Sequence, residues 1–257
     1  MNADTVRERL AGLLNGHSFG RNLEILQETG STNDEALERA RTGAPHGTVI
    51  LALSQTRGRG RMGRAWSSRP GDSLTFSIVL RPESPMREAG RLTLHAGLAA
   101  HRALTRETAL PYHIKWPNDI LWERCKVCGI LAESVCSDNR AACVVIGIGC
   151  NLNQTDTGFP LELRASARSL AQLTGRTWEM EPIAAAILRE LALVIDRPWP
   201  EVLAEWKTHC TSIGKPVRIA TGGEVIHGVL LDIDGDGALL LETDSGARRR
   251  LDSAEIL

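Results

Sequence analysis

The chain has 257 residues, of which 42% are hydrophobic and 24% are charged, and its formal net charge is −1. This composition is typical of one or two globular domains, and it argues against a disordered chain and against a domain that is basic overall, as nucleic-acid-binding domains usually are. No apolar run approaches the roughly 18 residues of a membrane span, and the N-terminus lacks the pattern of a signal peptide. We therefore expect a cytoplasmic protein that does not enter a membrane.

The six cysteines predict buried free thiols. They stand at positions 125, 128, 136, 143, 150 and 210, mostly among apolar residues, and the chain is longer than a disulfide-stapled secreted module. Cys125 and Cys128 form a CxxC pair, which raises the question of a zinc or redox site. A structural zinc site needs four ligands, however, and no second pair follows at a suitable spacing. Zinc binding and thiol redox chemistry are therefore disfavoured.

The first elements are a helix, a strand and a second helix. Apolar residues at helical spacing predict a helix over Thr5–Leu14, and Leu23–Glu28 is typical of a strand. The segment GSTNDEAL at 30–37 predicts a helix that Ser31 or Thr32 caps, with acidic residues in its first turn. Two interpretations stay open here: a plain N-cap, or a helix start whose hydroxyl and amide groups bind a polar ligand.

A buried strand, Thr48–Ser54, leads through Gln55 into the segment RGRGRMGRAW at 57–66, which holds four arginines and three glycines. Glycine allows close backbone approach, and arginine matches carboxylate and phosphate oxygens. From Arg39 to Gly71 there are seven arginines and no Asp or Glu. In a nearly neutral chain, this concentration favours a site for a compact anion, with a mobile solvated loop or a weak RNA contact as the alternative.

A sheet with packed helices is predicted next. Ser73–Leu80 is typical of a strand, and Arg91–Leu104 has the apolar spacing of an amphipathic helix that covers a sheet. In the segment HIKWPNDILW at 113–122, a proline interrupts a strand-like pattern. Asn118 and Asp119 follow this break, where polar side chains can point at a ligand, although a bulge or turn without chemistry is the alternative.

Two later strands carry a lysine and several glycines. In CKVCGILAES, simple alternation places Lys126 and Cys128 on one face of a strand. Cys143–Cys150 is a buried strand whose glycines indicate the close approach of a backbone or a ligand. Structural helices are predicted over Ser166–Leu173, Ile183–Ile195 and Trp199–Cys210.

From Ile213 onward, short alternating strands separated by turns predict a compact all-β unit. Its DIDGDG segment superficially resembles a calcium loop. The segment lacks the later ligands and the terminal glutamate of an EF-hand, so a hairpin turn is the better interpretation.

Together, these stretches resemble the biotin protein ligases. The similar segments are STN at 31–33, Gln55, GRGRMGRAW at 58–66, KWPND at 115–119, KVCGIL at 126–131 and GIGCNLN at 147–153. The similar segments are spread over nearly the whole chain, and their combination is specific to this family. It implies an α+β fold of the class II synthetase-like biotin/lipoate ligase type, a mixed β-sheet with helices packed on one side, over residues 1–211. A small C-terminal SH3-like β-barrel would follow at 212–257.

The resemblance implies an ATP-dependent ligase. Such an enzyme joins biotin and ATP into biotinyl-5′-AMP with release of pyrophosphate, and then transfers biotin to a lysine of a biotin carboxyl carrier domain, as in acetyl-CoA carboxylase. Both the biotin carboxylate and the α-phosphate are negative, so the protein must mainly position them and neutralise charge. Arginines, a lysine and glycines are residue types suited to that task.

The resemblance also assigns site residues. The biotin set is Ser31, Thr32, Asn33, Gln55, Arg59, Gly60, Arg61, Lys126, Gly129, Gly147 and Gly149. The ATP set is Arg64, Trp66, Asn118, Asp119 and Asn151. Arg61 and Lys126 would be catalytic, with Lys126 holding the biotin carboxylate and later the acyl-phosphate oxygens. Trp66 would stack on adenine, and Asp119 would engage Mg²⁺ directly or through water. Arg57 departs from the family pattern, in which a small residue is more usual.

Further expectations concern the loop and the partners. A reactive acyl-adenylate needs shielding from water, so the Arg57–Arg69 loop is expected to be mobile when empty and ordered over ligand. The residues before Leu23 are too few for a winged helix, and we expect no specific DNA binding. A lipoate or octanoate ligase is one alternative, and a nucleic-acid-binding module that uses the arginine loop is another. The oligomeric state is not readable, and a homodimer stays open.

Overall fold

The structure, a computed structural model, describes residues 2–67, 69–82, 85–137 and 140–257. The helices are α1 (Ala3–Leu13), α2 (Thr32–Arg41), α3 (Pro85–Thr108), α4 (Leu170–Thr174), α5 (Met180–Ile195) and α6 (Trp199–His209). The strands of the first sheet are β1 (Leu23–Leu26), β2 (Thr48–Ala52), β3 (Ser73–Leu80), β4 (Tyr112–Lys115), β5 (Asp119–Trp122), β6 (Cys125–Ser137) and β7 (Arg140–Asn151). The strands of the second sheet are β8 (Pro216–Thr221), β9 (Glu224–Ile233), β10 (Leu239–Thr243), β11 (Arg248–Leu251) and β12 (Glu255–Ile256).

The first sheet is mixed, as predicted. Its seven strands are ordered β1-β2-β3-β7-β6-β5-β4. Only the β1–β2 pair is parallel, and the remaining neighbours are antiparallel. The central strand β3 is buried along its whole length, with apolar residues on the face toward the helices and Ser73, Thr75 and Ser77 on the other face.

The main helical layer lies on one face of this sheet. Helices α3 and α5 pack on each other, with α1 and α6 beside them, and the core between helices and sheet includes Phe76, Ile78, Ile146, Leu98 and Leu188. This arrangement confirms the predicted layer of helices on one side. The short helix α2 lies on the opposite face, where its alanines pack against neighbouring strands. Because α2 covers only part of that face, the rest is available for a site.

A β-bulge changes the prediction for Lys126. Ile120 pairs with Cys128 while Leu121 pairs with Lys126, so β6 has one extra residue at Val127. Val127 and Cys128 are both buried in the main core. Lys126 instead lines a cavity on the other face of the sheet. The prediction that alternation places Lys126 and Cys128 on one face is therefore wrong, because the bulge interrupts the alternation.

Several helix boundaries also differ from the prediction, most of all those of α3 and α4. The helix predicted from Ser166 begins only at Leu170, because Ser169 and Gln172 form a reciprocal capping box. This helix ends at Gly175, which adopts the left-handed conformation that favours glycine. Helix α3 extends beyond the predicted range at both ends, from Pro85 to Thr108.

The described cysteines 125, 128, 143, 150 and 210 are free, as predicted. The expectation for Cys136 concerns a side chain outside the described part of the structure. Among the described residues, no group of three or more His, Cys, Asp or Glu could hold a metal ion. None of the helices in the described ranges is both long enough and apolar enough to cross a bilayer.

The second sheet is antiparallel, with strand order β11-β10-β9-β8-β12, and it lies within residues 212–257. The predicted hairpin turn at DIDGDG is confirmed: the Asp234 carboxylate accepts hydrogen bonds from the backbone N–H groups of Asp236 and Ala238, at 2.9 and 3.0 Å. The Trp116 indole donates a hydrogen bond of 3.0 Å to the Gly237 carbonyl. The all-β unit is thereby attached to the strand that precedes Asn118.

The buried histidine His101 predicts a loss of stability in acid. Its Nε2 donates to the Tyr112 carbonyl at 3.0 Å, its ring lies 4.0 Å from that of His209, and its Nδ1 has no partner. Burial, and then the nearby His209, lower the pKa of His101 to about 4. Between about pH 6.5 and 4 the unfolded chain therefore binds a proton that the folded chain does not. The free energy of unfolding should fall by about 3 kcal/mol as the pH decreases through this window.

Urea unfolding of His101→Gln at pH 7 and pH 4.5 would check this prediction, since glutamine can still donate to the Tyr112 carbonyl but does not gain a proton. We expect the variant to lose less stability on acidification than the wild type. His17→Gln, at an exposed position, is the matched control. Equal pH dependence in the wild type and the His101 variant would contradict the assignment.

Candidate active site

The floor of the site is a stretch of sheet with almost no side chains. On one face of the sheet, Thr75 of β3 pairs with Gly149 of β7, which pairs with Gly129 of β6. In the next row, Gly147 lies between Ser77 and Leu131. Three glycines on adjacent strands therefore leave the backbone open to close approach.

Asn33, in the first turn of α2, lies directly against Gly147. A Cβ atom at Gly147 would overlap the Asn33 amide oxygen, so only glycine fits there. The Asn33 Nδ2 donates to Glu133 Oε2 at 2.8 Å and to the Leu131 carbonyl at 3.3 Å. Its Oδ1 lies 2.6 Å from the Ser77 hydroxyl. These contacts fix the amide of a side chain that is only 3% exposed.

Helix α2 begins without the usual hydrogen bond from the side chain of its N-cap residue. Ser31 occupies the N-cap position, but its side chain forms no capping hydrogen bond. The backbone N–H of Thr32 instead donates to Gln55 Oε1 at 2.7 Å. Ser31 therefore keeps its hydroxyl toward the cavity, which favours the ligand-binding interpretation of this helix start.

The arginine loop folds back on itself. The N–H of Gly60 donates to the Arg64 carbonyl at 2.7 Å, and that of Trp66 donates to the Gly58 carbonyl at 2.8 Å. Met62 lies at the tip, with a positive φ of 55° and 64% of its surface exposed. At the base of the loop, the Trp66 ring rests on Gly149, where a Cβ atom would come within 2.5 Å of it.

Two arginines of the loop are bound to carboxylates. Arg59 lies 2.8 Å from Asp34 and 2.7 Å from Glu133. Arg64 makes a two-pronged contact with Glu255, at 2.7 and 2.6 Å. Each of these arginines is thus held by protein carboxylates.

Lys126 and Arg61 lie deeper in the site. Lys126 Nζ lies 2.7 Å from Asp119 Oδ1 and 5.6 Å from the centre of the Trp66 ring. Arg61 donates to Asn118 Oδ1 at 3.3 Å and to the Ala254 carbonyl at 3.2 Å. Burial lowers the pKa of the Arg61 guanidinium, and Asp119 and then Glu255 oppose this effect. Among the described residues, the direct partners of the Arg61 guanidinium are neutral oxygen atoms, those of Asn118, Ser253 and Ala254.

Two cavities adjoin at this site. The inner cavity has about 40 Å³ of open space and is lined by every residue of the predicted biotin set. The outer cavity has about 290 Å³ and is lined by every residue of the predicted ATP set. The residues that line both cavities are Gly60, Arg61, Trp66, Asn118 and Lys126. The structure thus brings both predicted sets together, while the role of each residue stays a prediction.

Comparison with known proteins shows to which family the chain belongs. Residues 26–151 match the biotin/lipoate A/B protein ligase family, and residues 212–257 match the biotin protein ligase C-terminal domain. A biotin–[acetyl-CoA-carboxylase] ligase of Mycobacterium tuberculosis is 35% identical over 260 residues, covering 97% of this chain and 92% of the relative. This chain belongs to the biotin protein ligase family.

Two further likenesses agree with this membership. The bifunctional ligase/repressor BirA of Bacillus subtilis is 35% identical over 239 residues, which cover 90% of this chain and 72% of that protein. The biotin protein ligase of Aquifex aeolicus, in a structure with biotin and ATP, superposes with a TM-score of 0.78 at 29% identity. That match covers 92% of this chain and 98% of the other, which confirms the predicted fold.

Some residues of this biotin protein ligase site were missed by sequence reasoning. Glu133 follows Gly129 and Leu131 on the same face of β6, so the period of two along the strand could have identified it. Glu255 comes from the C-terminal domain, and no local pattern indicates that it meets Arg64. Asn151 has a structural role, because its amide donates to the carbonyls of Lys126 and Arg168, both at 3.2 Å.

We expect Glu133 to stabilise this ligase through Asn33. Glu133→Ala should lower the free energy of unfolding by about 1–3 kcal/mol, because the buried Asn33 amide loses a charged acceptor. Glu133→Gln keeps an acceptor oxygen and should lose less than about 1 kcal/mol. Asp34→Ala removes only the more exposed partner of Arg59 and should stay within about 0.5 kcal/mol of the wild type. Urea unfolding gives all three values, and the same loss in all three variants would contradict this order.

Proposed function

We propose that this chain activates biotin with ATP to form biotinyl-5′-AMP and transfers the biotinyl group to a lysine of a biotin carboxyl carrier domain. The observation that carries this proposal is the junction of the two cavities, where Arg61 and Lys126 line both. An acid in the inner cavity and a nucleotide in the outer cavity would meet at these two cations. Neutralising two anions at one point is the main requirement of the reaction.

The first step is a displacement at phosphorus. A carboxylate oxygen of biotin forms a bond to the α-phosphorus of ATP, the bond to the bridging oxygen of the β-phosphate breaks, and pyrophosphate leaves with the electron pair. In the second step, the neutral lysine amine of the carrier attacks the acyl carbon, the bond from that carbon to the phosphate oxygen breaks, AMP leaves with the electron pair, and the nitrogen loses a proton to solvent. Lys126 and Arg61 stabilise the negative charge on the acyl-phosphate oxygens in both steps. For this, Lys126 exchanges its contact with Asp119 for contacts with the substrates.

The polar end of the inner cavity favours biotin over lipoate. Ser31, Thr32 and Asn33 are each at most 4% exposed, and Gln55 lies beside them. The ureido ring of biotin offers both donors and an acceptor to such groups. The dithiolane ring of lipoate has no comparable donors or acceptors and would form no hydrogen bond with the Ser31 hydroxyl or with the other polar groups at this end of the cavity.

The chain can supply a limited set of ligands to Mg²⁺. Asp119 is the carboxylate near Lys126, with Asn118 beside it, and no all-protein metal cluster exists among the described residues. Magnesium commonly takes one or two protein carboxylates together with phosphate and water oxygens. We propose that Asp119 holds Mg²⁺ in this way, and the ion would add positive charge beside the phosphates.

We propose the biotin carboxyl carrier domain of a biotin-dependent carboxylase as the acceptor, and the cytoplasm as the compartment. The carrier follows from the family's transfer to acetyl-CoA carboxylase, which the relative in M. tuberculosis names. Free thiols at Cys128 and Cys150, which face each other on paired strands, suit a reducing compartment.

Exchange of labelled pyrophosphate into ATP tests the first step. We expect exchange that depends on biotin and Mg²⁺, with neither lipoate nor octanoate able to replace biotin. Lys126→Ala and Arg61→Ala should each lower the rate by about 100-fold or more, because each removes a charge at the reacting centre. Arg21→Ala, at an exposed position that lines neither cavity, is the control. A folded wild-type protein that shows no exchange with any acid would refute the proposed function.

Limited trypsin digestion tests closure of the loop. Trp66 and Arg59 leave only about 40 Å³ open in the inner cavity, so biotin requires the loop to move. We expect cleavage after the arginines between 57 and 69 to slow at least tenfold when biotin and a non-hydrolysable ATP analogue are both bound. Mass spectrometry identifies the cleaved bonds. Equal cleavage with and without ligands would argue against a mobile lid.

A further inference from the structure

Two buried amide side chains lie next to the backbone of Lys126. Asn151 ends β7, Gln154 follows three residues later, and each is only 5% exposed. The Asn151 Nδ2 donates to the carbonyls of Lys126 and Arg168, both at 3.2 Å. A carbonyl oxygen only accepts hydrogen bonds, so these two contacts fix which end of the Asn151 amide faces Lys126. The Asn151 Oδ1 therefore points the other way.

Gln154 holds the other end of this amide. Its Nε2 donates to Asn151 Oδ1 at 3.2 Å and to the Ser73 hydroxyl at 2.8 Å. The backbone of Gln154 is held as well, because its carbonyl accepts a hydrogen bond of 2.7 Å from the Ser169 hydroxyl. Gln154 lines neither cavity of the site. Its side chain therefore affects a substrate through the residues that it holds.

The stability of the fold does not explain the amide of Gln154. Within the described ranges, its Oε1 is buried and has no hydrogen-bond partner. A buried acceptor without a partner is costly. A methionine of similar size would remove this unpartnered oxygen and would leave Asn151 Oδ1 as another, so the two costs roughly cancel. The Gln154 amide is explained better by what it positions.

The backbone of Lys126 depends on this arrangement. On the edge of β6 that faces β7, the pairing with β7 starts only two residues after Lys126. At Lys126 itself, another segment takes the place of β7. The Lys126 N–H donates to the Ser166 carbonyl at 2.8 Å, and the Lys126 carbonyl accepts from the Arg168 N–H at 3.0 Å. Asn151 joins this segment and Lys126 to the end of β7.

We propose that Gln154 is a positioning residue for Lys126, acting through Asn151, a role that rests on the proposed function. Gln154 holds the Asn151 amide in the orientation that binds the Lys126 carbonyl. It thereby fixes the backbone from which the lysine side chain reaches the junction of the two cavities. Misplacement of such a group by about 1 Å can lower the rate by about 100-fold. Because Lys126 acts in both steps, Gln154 affects adenylation and transfer alike.

Three variants test this role. Gln154→Met removes the donor to Asn151 and keeps the size, whereas Gln154→Glu places an acceptor opposite the Asn151 oxygen. Gln172→Met is the matched control, because it makes the same change in the capping box of α4, where Gln172 bonds to Ser169 and Asp156. Pyrophosphate exchange measures adenylation, and transfer from synthetic biotinyl-5′-AMP to the apo carrier domain measures the second step. Thermal melts measure stability.

We expect Gln154→Met to lower the kcat of exchange and the rate of transfer by about tenfold each, with the KM values for ATP and biotin within about twofold. Its melting temperature should stay within about 3 °C of the wild type. Gln154→Glu should lose about 100-fold at pH 8 and recover part of this loss, relative to the wild type, at pH 6, where the introduced carboxyl gains a proton that it can donate. Gln172→Met should lower the melting temperature and leave kcat within about twofold.

A double-mutant cycle shows through which residue Gln154 acts. In the Lys126→Ala background, Gln154→Met should change the exchange rate by less than about twofold, because the side chain that it positions is gone. An unchanged kcat in Gln154→Met would overturn the proposal. A further tenfold loss in the Lys126→Ala background, or an effect confined to the KM for ATP, would also overturn it, because Asn151 would then act on the nucleotide.

Failure of the proposed function looks different, since the wild type would then show no exchange with any acid. The position of Lys126 can still be measured without substrate. Trace acetylation with acetic anhydride, followed by mass spectrometry, compares the reactivity of the Lys126 amine with that of Lys207, which is paired with Asp232. We expect this ratio to rise by about threefold in Gln154→Met, because the amine leaves Asp119 more often. An equal ratio in both proteins would contradict the positioning role.

Discussion

The site depends on a sheet whose backbone is left uncovered at one place. Gly129, Gly147 and Gly149 lie on adjacent strands whose N–H and C=O groups are already used in the sheet, so the open backbone leaves no unpaired polar groups. Asn33 and Trp66 can then pack directly on this surface. A single added methyl group at Gly147 or Gly149 would displace one of them. The positions of α2 and of the arginine loop therefore both follow from the missing side chains.

Charge balance is the second constraint. A cluster of arginines and a lysine repels itself unless anions are near, and in this protein Asp34, Glu133, Asp119 and Glu255 supply them. The cations are therefore held in place before any substrate binds, and substrate anions exchange with carboxylates. Arg61 differs, because its direct partners are neutral oxygen atoms and burial lowers its pKa. An incoming anion therefore does not have to displace a carboxylate from direct contact with Arg61.

The sequence predicted the mixed sheet, its main helical layer, the C-terminal β unit and the residues that line the two cavities. The strands, helices and turns follow from local patterns, namely buried runs, turn residues and glycines within strands, whereas the two sets of site residues follow from the resemblance to the biotin protein ligases. The bulge at Val127 was not predictable, because the extra residue becomes visible only when the pairing partner in β5 is known. The late start of α4 depends on the capping box of Ser169 and Gln172, a signal that was present in the sequence but overlooked. The contact of Arg64 with Glu255 joins residues with no pattern in common, and only the folded chain shows it.

The contact between Arg64 and Glu255 also bears on the order in which parts of the protein fold. Arg64 and Glu255 are 191 positions apart in the chain, and Trp116 bonds to Gly237 across 121 positions. Contacts between such distant segments form slowly, because the intervening chain must first be brought into place. The strands that carry the glycine floor end at Asn151, whereas the nucleotide side gains Glu255 only after β12 has docked. During synthesis, the floor of the inner cavity would therefore exist before the chamber for the nucleotide is closed.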